Sequence, residues 1–139
     1  MHIESEQLGA VEIDPSKVLE FPDGLLGFPD VTRFALVEAG DDGTYFWLLS
    51  LDDPALAFLA AVPWAFYPGY EPELPDSDQE ALALADAHDA MVLCLLTITD
   101  DAVTANLLGP LVVNVVTRSG RQIVLAESTY STRVPLAAA

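Results

Sequence analysis

A mainly β fold, a small antiparallel β-barrel-like domain with one short helix, is what this sequence predicts, and three observations predict it. Val, Ile, Leu, Thr and aromatic residues arrive in short runs along the whole chain, the composition of strands. Gly, Pro or Asp interrupts those runs at short intervals, as turns require. Only one stretch, about residues 77–87, carries helix signals. Many short antiparallel strands with a single helix favour a closed or nearly closed barrel. Closure would also remove the exposed edges that invite aggregation in so apolar a chain.

Each element follows in order. Residues 3–6 and 10–13 form a first hairpin turning at Leu8-Gly9. Residues 33–37 and 45–51 form a second, joined by Gly40-Asp41-Asp42-Gly43. A strand at 57–62 follows, and Pro63 either ends it or places it on an edge. Residues 63–75 hold the aromatic and proline-rich Trp64-Ala65-Phe66-Tyr67-Pro68-Gly69-Tyr70, read as a packed loop. Ser77-Asp78-Gln79-Glu80 has the form of a capping box, with Ser77 as N-cap and Glu80 reaching back. The Ala81-Leu82-Ala83-Leu84-Ala85 run behind it favours helix, and acids in the first turn match the helix dipole. Strands at 91–99 and 103–108 flank an Asp100-Asp101 turn; strands at 111–117 and 121–126 flank Ser119-Gly120. The 139 residues fit a single domain, 1–139, with a frayed tail at 136–139.

Composition excludes several functions. The chain is 52% hydrophobic and 19% charged, which supports a packed core and argues against a disordered chain. Its longest apolar stretches, 91–96 and 107–116, are too short or too interrupted to span a bilayer as a helix, so no membrane contact is expected. No signal peptide is visible, and the lone Cys94 lies among apolar residues, so the expected location is cytoplasmic. Twenty-two acids face five bases, and the formal charge is −17. Fourteen of the acids, and no Lys or Arg, fall between Phe34 and Thr117. Such a surface repels phosphate, which excludes direct nucleic-acid binding. Two exposed like charges ~10 Å apart repel by only about 0.4 kcal/mol in water, so folding tolerates the imbalance. The summed field speeds encounter with a basic partner. An acidic proteome, as in halophiles, accounts equally well for the extreme value.

Reactive chemistry is sparse. His2 sits at a terminus expected to fray, and Asp86-Ala87-His88-Asp89 matches no strong metal template, so no metal and no cofactor are expected. No nucleophile elbow, Walker loop or dinucleotide fingerprint occurs. Asp52-Asp53 and Asp100-Asp101 are adjacent carboxylates of the kind hydrolases use, yet each more simply marks a turn. The expectation is a protein that is not an enzyme. Two alternatives remain for the structure: a barrel that binds a small apolar ligand inside, and a hydrolase built on the aspartates. Asn106 and Asn114 stand in apolar strands and must satisfy their amides internally or across an interface.

Several pieces in order resemble one family. Phe21-Pro22-Asp23-Gly24-Leu25 through Gly27-Phe28 comes first; then Ser50 with Asp52-Asp53, Phe58, Pro63 and Tyr70-Glu71. The most specific stretch is Thr104-Ala105-Asn106-Leu107-Leu108-Gly109-Pro110-Leu111-Val112-Val113-Asn114, followed by Gly120-Arg121-Gln122, Tyr130 and Arg133-Val134-Pro135. Together they resemble the flagellar assembly factor FliW family over nearly the whole chain. The sequence departs from the family pattern at Leu49, where Gln is usual, and at Leu26, where Pro is usual. The resemblance implies a small cytosolic β-barrel, monomeric, that binds flagellin and the translational regulator CsrA. The two partners exchange on it, so that CsrA no longer silences flagellin messenger RNA. The expected partner-facing patch is Thr104, Ala105, Asn106, Leu107 and Leu108, with Asp52, Asp53, Tyr70 and Glu71 as second choices. A structural duty for Leu107 and Leu108 competes with that assignment.

Overall fold

An antiparallel hairpin opens the chain, with β1 (His2–Ser5) against β2 (Gly9–Glu12) in the register His2↔Glu12 to Ser5↔Gly9. Gly9 takes φ +75° at its turn, a conformation that suits a residue without Cβ. The backbone of His2 is therefore paired and not frayed. The computed structural model describes residues 2–6, 8–40, 42–100, 102–125 and 129–135. The turn residues Asp41 and Asp101, the strand end at Ala126 and the tail 136–139 lie outside them.

The remaining strands are β3 (Val18–Glu20), β4 (Arg33–Ala39), β5 (Tyr45–Ser50), β6 (Ala57–Ala61), β7 (Ala90–Ile98), β8 (Val103–Ala105), β9 (Leu111–Asn114), β10 (Ser119–Gln122) and β11 (Val134–Pro135). Their neighbour order is β11-β8-β7-β6-β5-β4-β3-β10-β9, and β9 pairs back onto β7. Seven strands thus close into a barrel, while β8 and β11 continue the sheet from the far half of β7. All these pairings are antiparallel except β10 with β3. The expected barrel-like β fold is what the structure has.

Alternation along the strands fills the barrel. Phe34 and Leu36, Phe46 and Leu48, Phe58 and Ala60, Leu93 and Leu95, and Leu111 and Val113 share one interior cluster with Phe21. The Phe34 ring packs edge-on against Phe21 at 5.7 Å and against Phe58 at 6.1 Å between centroids. Rings occupy the space an apolar ligand would need. Outward positions are buried as well. Ala35 and Leu49 lie under the β1–β2 hairpin with Ile13. Val92, Cys94 and Val112 lie under the segment that carries Tyr70 and Leu82. Two-sided burial is why β7 and β9 read as continuous apolar runs and not as alternating ones. Full burial of each Leu or Phe contributes about 1.5–3 kcal/mol.

Local expectations shift at several places, among them the strand expected over 121–126, which is β10 at Ser119–Gln122 with residues 123–125 outside any strand. The helix is shorter than 77–87: α1 spans Asp76–Ala81, with Pro75 at the N-cap and no side-chain cap. The Ser77–Glu80 capping box does not form; Asp76 and Asp78 still load the first turn with acid. At the other end Ala83 N–H donates to Glu80 and Leu84 N–H to Gln79, while Ala83 takes φ +53°. That is a left-handed C-terminal stop. Buried Asn114 holds it, donating from Nδ2 to the Leu82 and Ala83 carbonyls at 2.8 and 3.3 Å. Tertiary hydrogen bonding overrides the helix propensity of the Ala-Leu run.

The turn expected at Ser119-Gly120 falls instead at residues 115–118, and Gly120 pairs with Val113 inside β10. A Cβ at Gly120 would stand 2.7 Å from the Phe21 ring, so the glycine serves ring packing. The strand expected over 103–108 stops at Ala105, and that break builds the site below.

Candidate functional site

Leu93 of β7 faces Leu111, and Leu96 faces Ala105. Two residues of β7 therefore lie opposite five, 106–110, which leave the ladder as a bulge. Asn106 anchors it, because its Oδ1 accepts from Gly109 N–H at 2.8 Å and its own N–H donates to the Leu95 carbonyl at 2.9 Å. The side-chain oxygen is satisfied locally, as that of an Asn in an apolar strand must be.

From the bulge a polar chain runs along one end of the barrel. Gln122 Nε2 donates to the Gly109 carbonyl at 3.0 Å, and Gln122 Oε1 accepts from Leu26 N–H at 2.8 Å. This fixes the 22–29 loop beside the bulge. A cleft of about 240 Å³ opens there, lined by Asp23, Leu26, Pro29, Arg121 and others. Gly24 has φ +69°, and a Cβ on it would meet the Phe28 carbonyl at 2.4 Å, so the loop closes tightly on itself. Its tip points outward: Leu26 is 61% exposed and Phe28 is 37% exposed. The Phe28 ring rests edge-on against Phe58, 5.3 Å away. Arg121 is held by Asp23 at 3.6 Å and Asp78 at 3.3 Å.

The outer side of the bulge meets Tyr70. Its buried hydroxyl donates to the Leu107 carbonyl at 2.7 Å, and burial pushes its pKa up. Tyr130 packs against the Tyr70 ring at 4.7 Å and accepts from Glu71 N–H. Leu107 and Leu108 N–H groups both donate to the Ser131 carbonyl.

Asp52 and Asp53 occupy the β5–β6 loop at the same end of the barrel. Asp52 accepts from the Arg33 guanidinium at 3.0 Å and from Thr32 and Arg33 N–H at 3.2 Å. The Arg33 hydrogen bond, ahead of the backbone ones, holds its carboxyl below the usual range. Buried Ser50 accepts from both Asp52 and Asp53 N–H, and Asp53 caps Ala55 N–H at 2.9 Å. This pair is committed to a turn, and an ionised Asp52 is in the wrong state to act as a general acid.

The structure therefore joins Tyr70 and Glu71 to the bulge, while Asp52 and Asp53 bond to Arg33, Thr32 and Ala55 and stand apart from it. It buries Ala105, Leu107 and Tyr70, leaves Thr104, Asn106 and Leu108 half-buried, and exposes Glu71. Leu107 is buried in the core cluster, and half-buried Leu108 packs against the same cluster as well as donating its N–H. Sequence reading missed Gln122 as the link between loop and bulge, because one Gln in a strand carries no pattern of its own. It also missed Ile98, 62% exposed at the end of β7. Alternation from buried Cys94 places Ile98 on the outer face, a signal that was readable.

Fold and rim define a class: a closed β-barrel with apolar loop tips among carboxylates at one end. The family model described as "FliW protein" matches residues 2–136. The flagellar assembly factor FliW of Moorella thermoacetica is 38% identical over 136 residues, covering 96% of this chain and 86% of that protein. That of Bdellovibrio bacteriovorus is 39% identical over 138 residues, covering 98% and 79%. A crystal structure of the flagellar assembly factor FliW matches with a TM-score of 0.89 at 32% identity, covering 99% of this chain and 98% of the other. The chain belongs to the FliW family. Its departure at Leu49 is an apolar contact, since that side chain is fully buried beneath the β1–β2 hairpin.

Proposed function

We propose that this chain is a non-enzymatic flagellar assembly factor that binds flagellin and CsrA in the cytoplasm by docking them on its surface. The partners are those the family resemblance implies, and one observation supports the mode. Exposed Leu26, Phe28 and Ile98 lie at one end of a barrel whose formal charge is −17. Apolar tips give a partner something to bury, and the acids select a cationic one and repel RNA phosphate. Thr104, Asn106, Leu108, Asp52, Asp53 and Glu71 form the accessible part of the proposed contact surface. Ala105, Leu107 and Tyr70 hold it in shape from beneath. Occupancy by flagellin or by CsrA, one at the expense of the other, then couples flagellin supply to its translation.

Calorimetry of the purified chain with each partner from the same organism, at low and high salt, tests the reading. Both are expected to bind, and the CsrA complex is expected to weaken as salt rises. Absence of binding by both partners would refute it. The apolar-ligand reading fares worse, because aromatic rings fill the barrel interior.

A further inference from the structure

Pairing between β6 and β7 is confined to Ala60↔Leu95 and Ala61↔Cys94. Residues 57–59 run on beyond it and pair only with β5. Residues 96–98 also run on, and pair only with β8 on the opposite edge of β7. Among the described residues the barrel wall is therefore split at the rim, with a strand edge on each side of the gap. Natural sheets protect such edges with charge, proline or a covering segment, because an uncovered edge pairs readily with another chain. Here the outer face beside the gap carries exposed Ile98, while on the inner face Phe58 packs against the exposed Phe28.

We propose that this gap takes up an extended segment of a partner protein as an added strand between β6 and β7. The inference rests on the docking role proposed above and specifies its chemistry. Open backbone edges select an extended chain, and strand addition supplies affinity through main-chain hydrogen bonds. Exposed Ile98 on the outer face selects apolar side chains at alternate positions of that segment. Charge selects the rest. Asp53 and Asp100 lie on the loops at this end beside Asp52, whose charge Arg33 offsets at 3.0 Å, and no Lys or Arg occurs from residue 34 to residue 117. The occupant is a cationic, alternately apolar segment.

A ten-residue peptide alternating Lys and Val is the test probe, with a Lys–Ser peptide of equal charge as its control. Hydrogen exchange of the full chain with each peptide, at low and moderate salt, reads which amides become protected. Protection confined to residues 57–59 and 96–98 by the Lys–Val peptide, at least ten-fold weaker with Lys–Ser, is the expected result. Ile98→Asp, at an exposed site that leaves the core intact, should remove it. Equal binding of both peptides, protection elsewhere, pairing of the chain with its own copy at this gap, or no binding would overturn the inference. Calorimetry with flagellin and CsrA is scored separately, so those proteins can bind while the strand-addition mode fails, and the reverse.

Discussion

At the residue scale, Asn114 does more than its strand position announces. Its Nδ2 holds the end of α1, and its Oδ1 accepts from Val116 and Thr117 N–H at 2.9 and 3.3 Å. Asn114→Ala strands these groups and is expected to cost about 2–3 kcal/mol in a urea titration. Asn106→Ala, which frees Gly109 N–H in a half-buried bulge, should cost about 1 kcal/mol. Cys94 gives a second test. Burial pushes its thiol up to about 11, and it donates weakly to the Ala61 carbonyl. The unfolded thiol ionises near its ordinary value of 9. Its contribution to stability is therefore complete below pH 9 and falls as the pH rises from there toward 11. A thiol reagent at pH 8 should label the native chain slowly and the urea-unfolded chain at once; rapid native labelling would deny the burial. Both asparagines were visible in the sequence as polar residues that need partners. Which partners they have was not, because Leu82 and Asn114 are brought together only by the fold.

At the element scale, the strands were legible wherever an apolar run met a turn signal. The β1–β2 and β4–β5 hairpins fall where Leu8-Gly9 and the Gly40–Gly43 stretch place them. Three-residue β3 and two-residue β11 were not legible, since neither is long enough to show a period of two. Helix α1 was overextended because local propensity cannot register a tertiary stop at Ala83. Gly120 was misread as a turn because a glycine under a ring and a glycine in a turn look alike in sequence. The bulge at 106–110 depends on Gln122, which ties it to the 22–29 loop. Gln122→Ala is expected to lower stability by about 1–2 kcal/mol and to speed hydrogen exchange at Leu26 and Gly109. Unchanged exchange at Leu26 would mean that the loop is held by its own tight turn at Gly24.

For the whole molecule, barrel closure leaves irregular backbone and exposed apolar side chains at both of its ends, besides Leu8 and Trp64 on the outer layers. Leu26, Phe28 and Ile98 mark one end; Val116, 70% exposed on the β9–β10 turn, marks the other. The resemblance placed the partner surface on residues 104–108, at the first end, but could not separate the buried supports from the accessible tips. That distinction is made by the packing of Leu107 and Tyr70. The central claim is that partners dock at the rim that holds the bulge. Its most direct measurement is the affinity for flagellin of a Leu26→Asp, Ile98→Asp double variant against a Val116→Asp variant, each first checked for an unchanged urea midpoint. The rim variant should bind at least ten-fold more weakly and Val116→Asp should bind like the parent chain; equal affinities in all three would contradict the account.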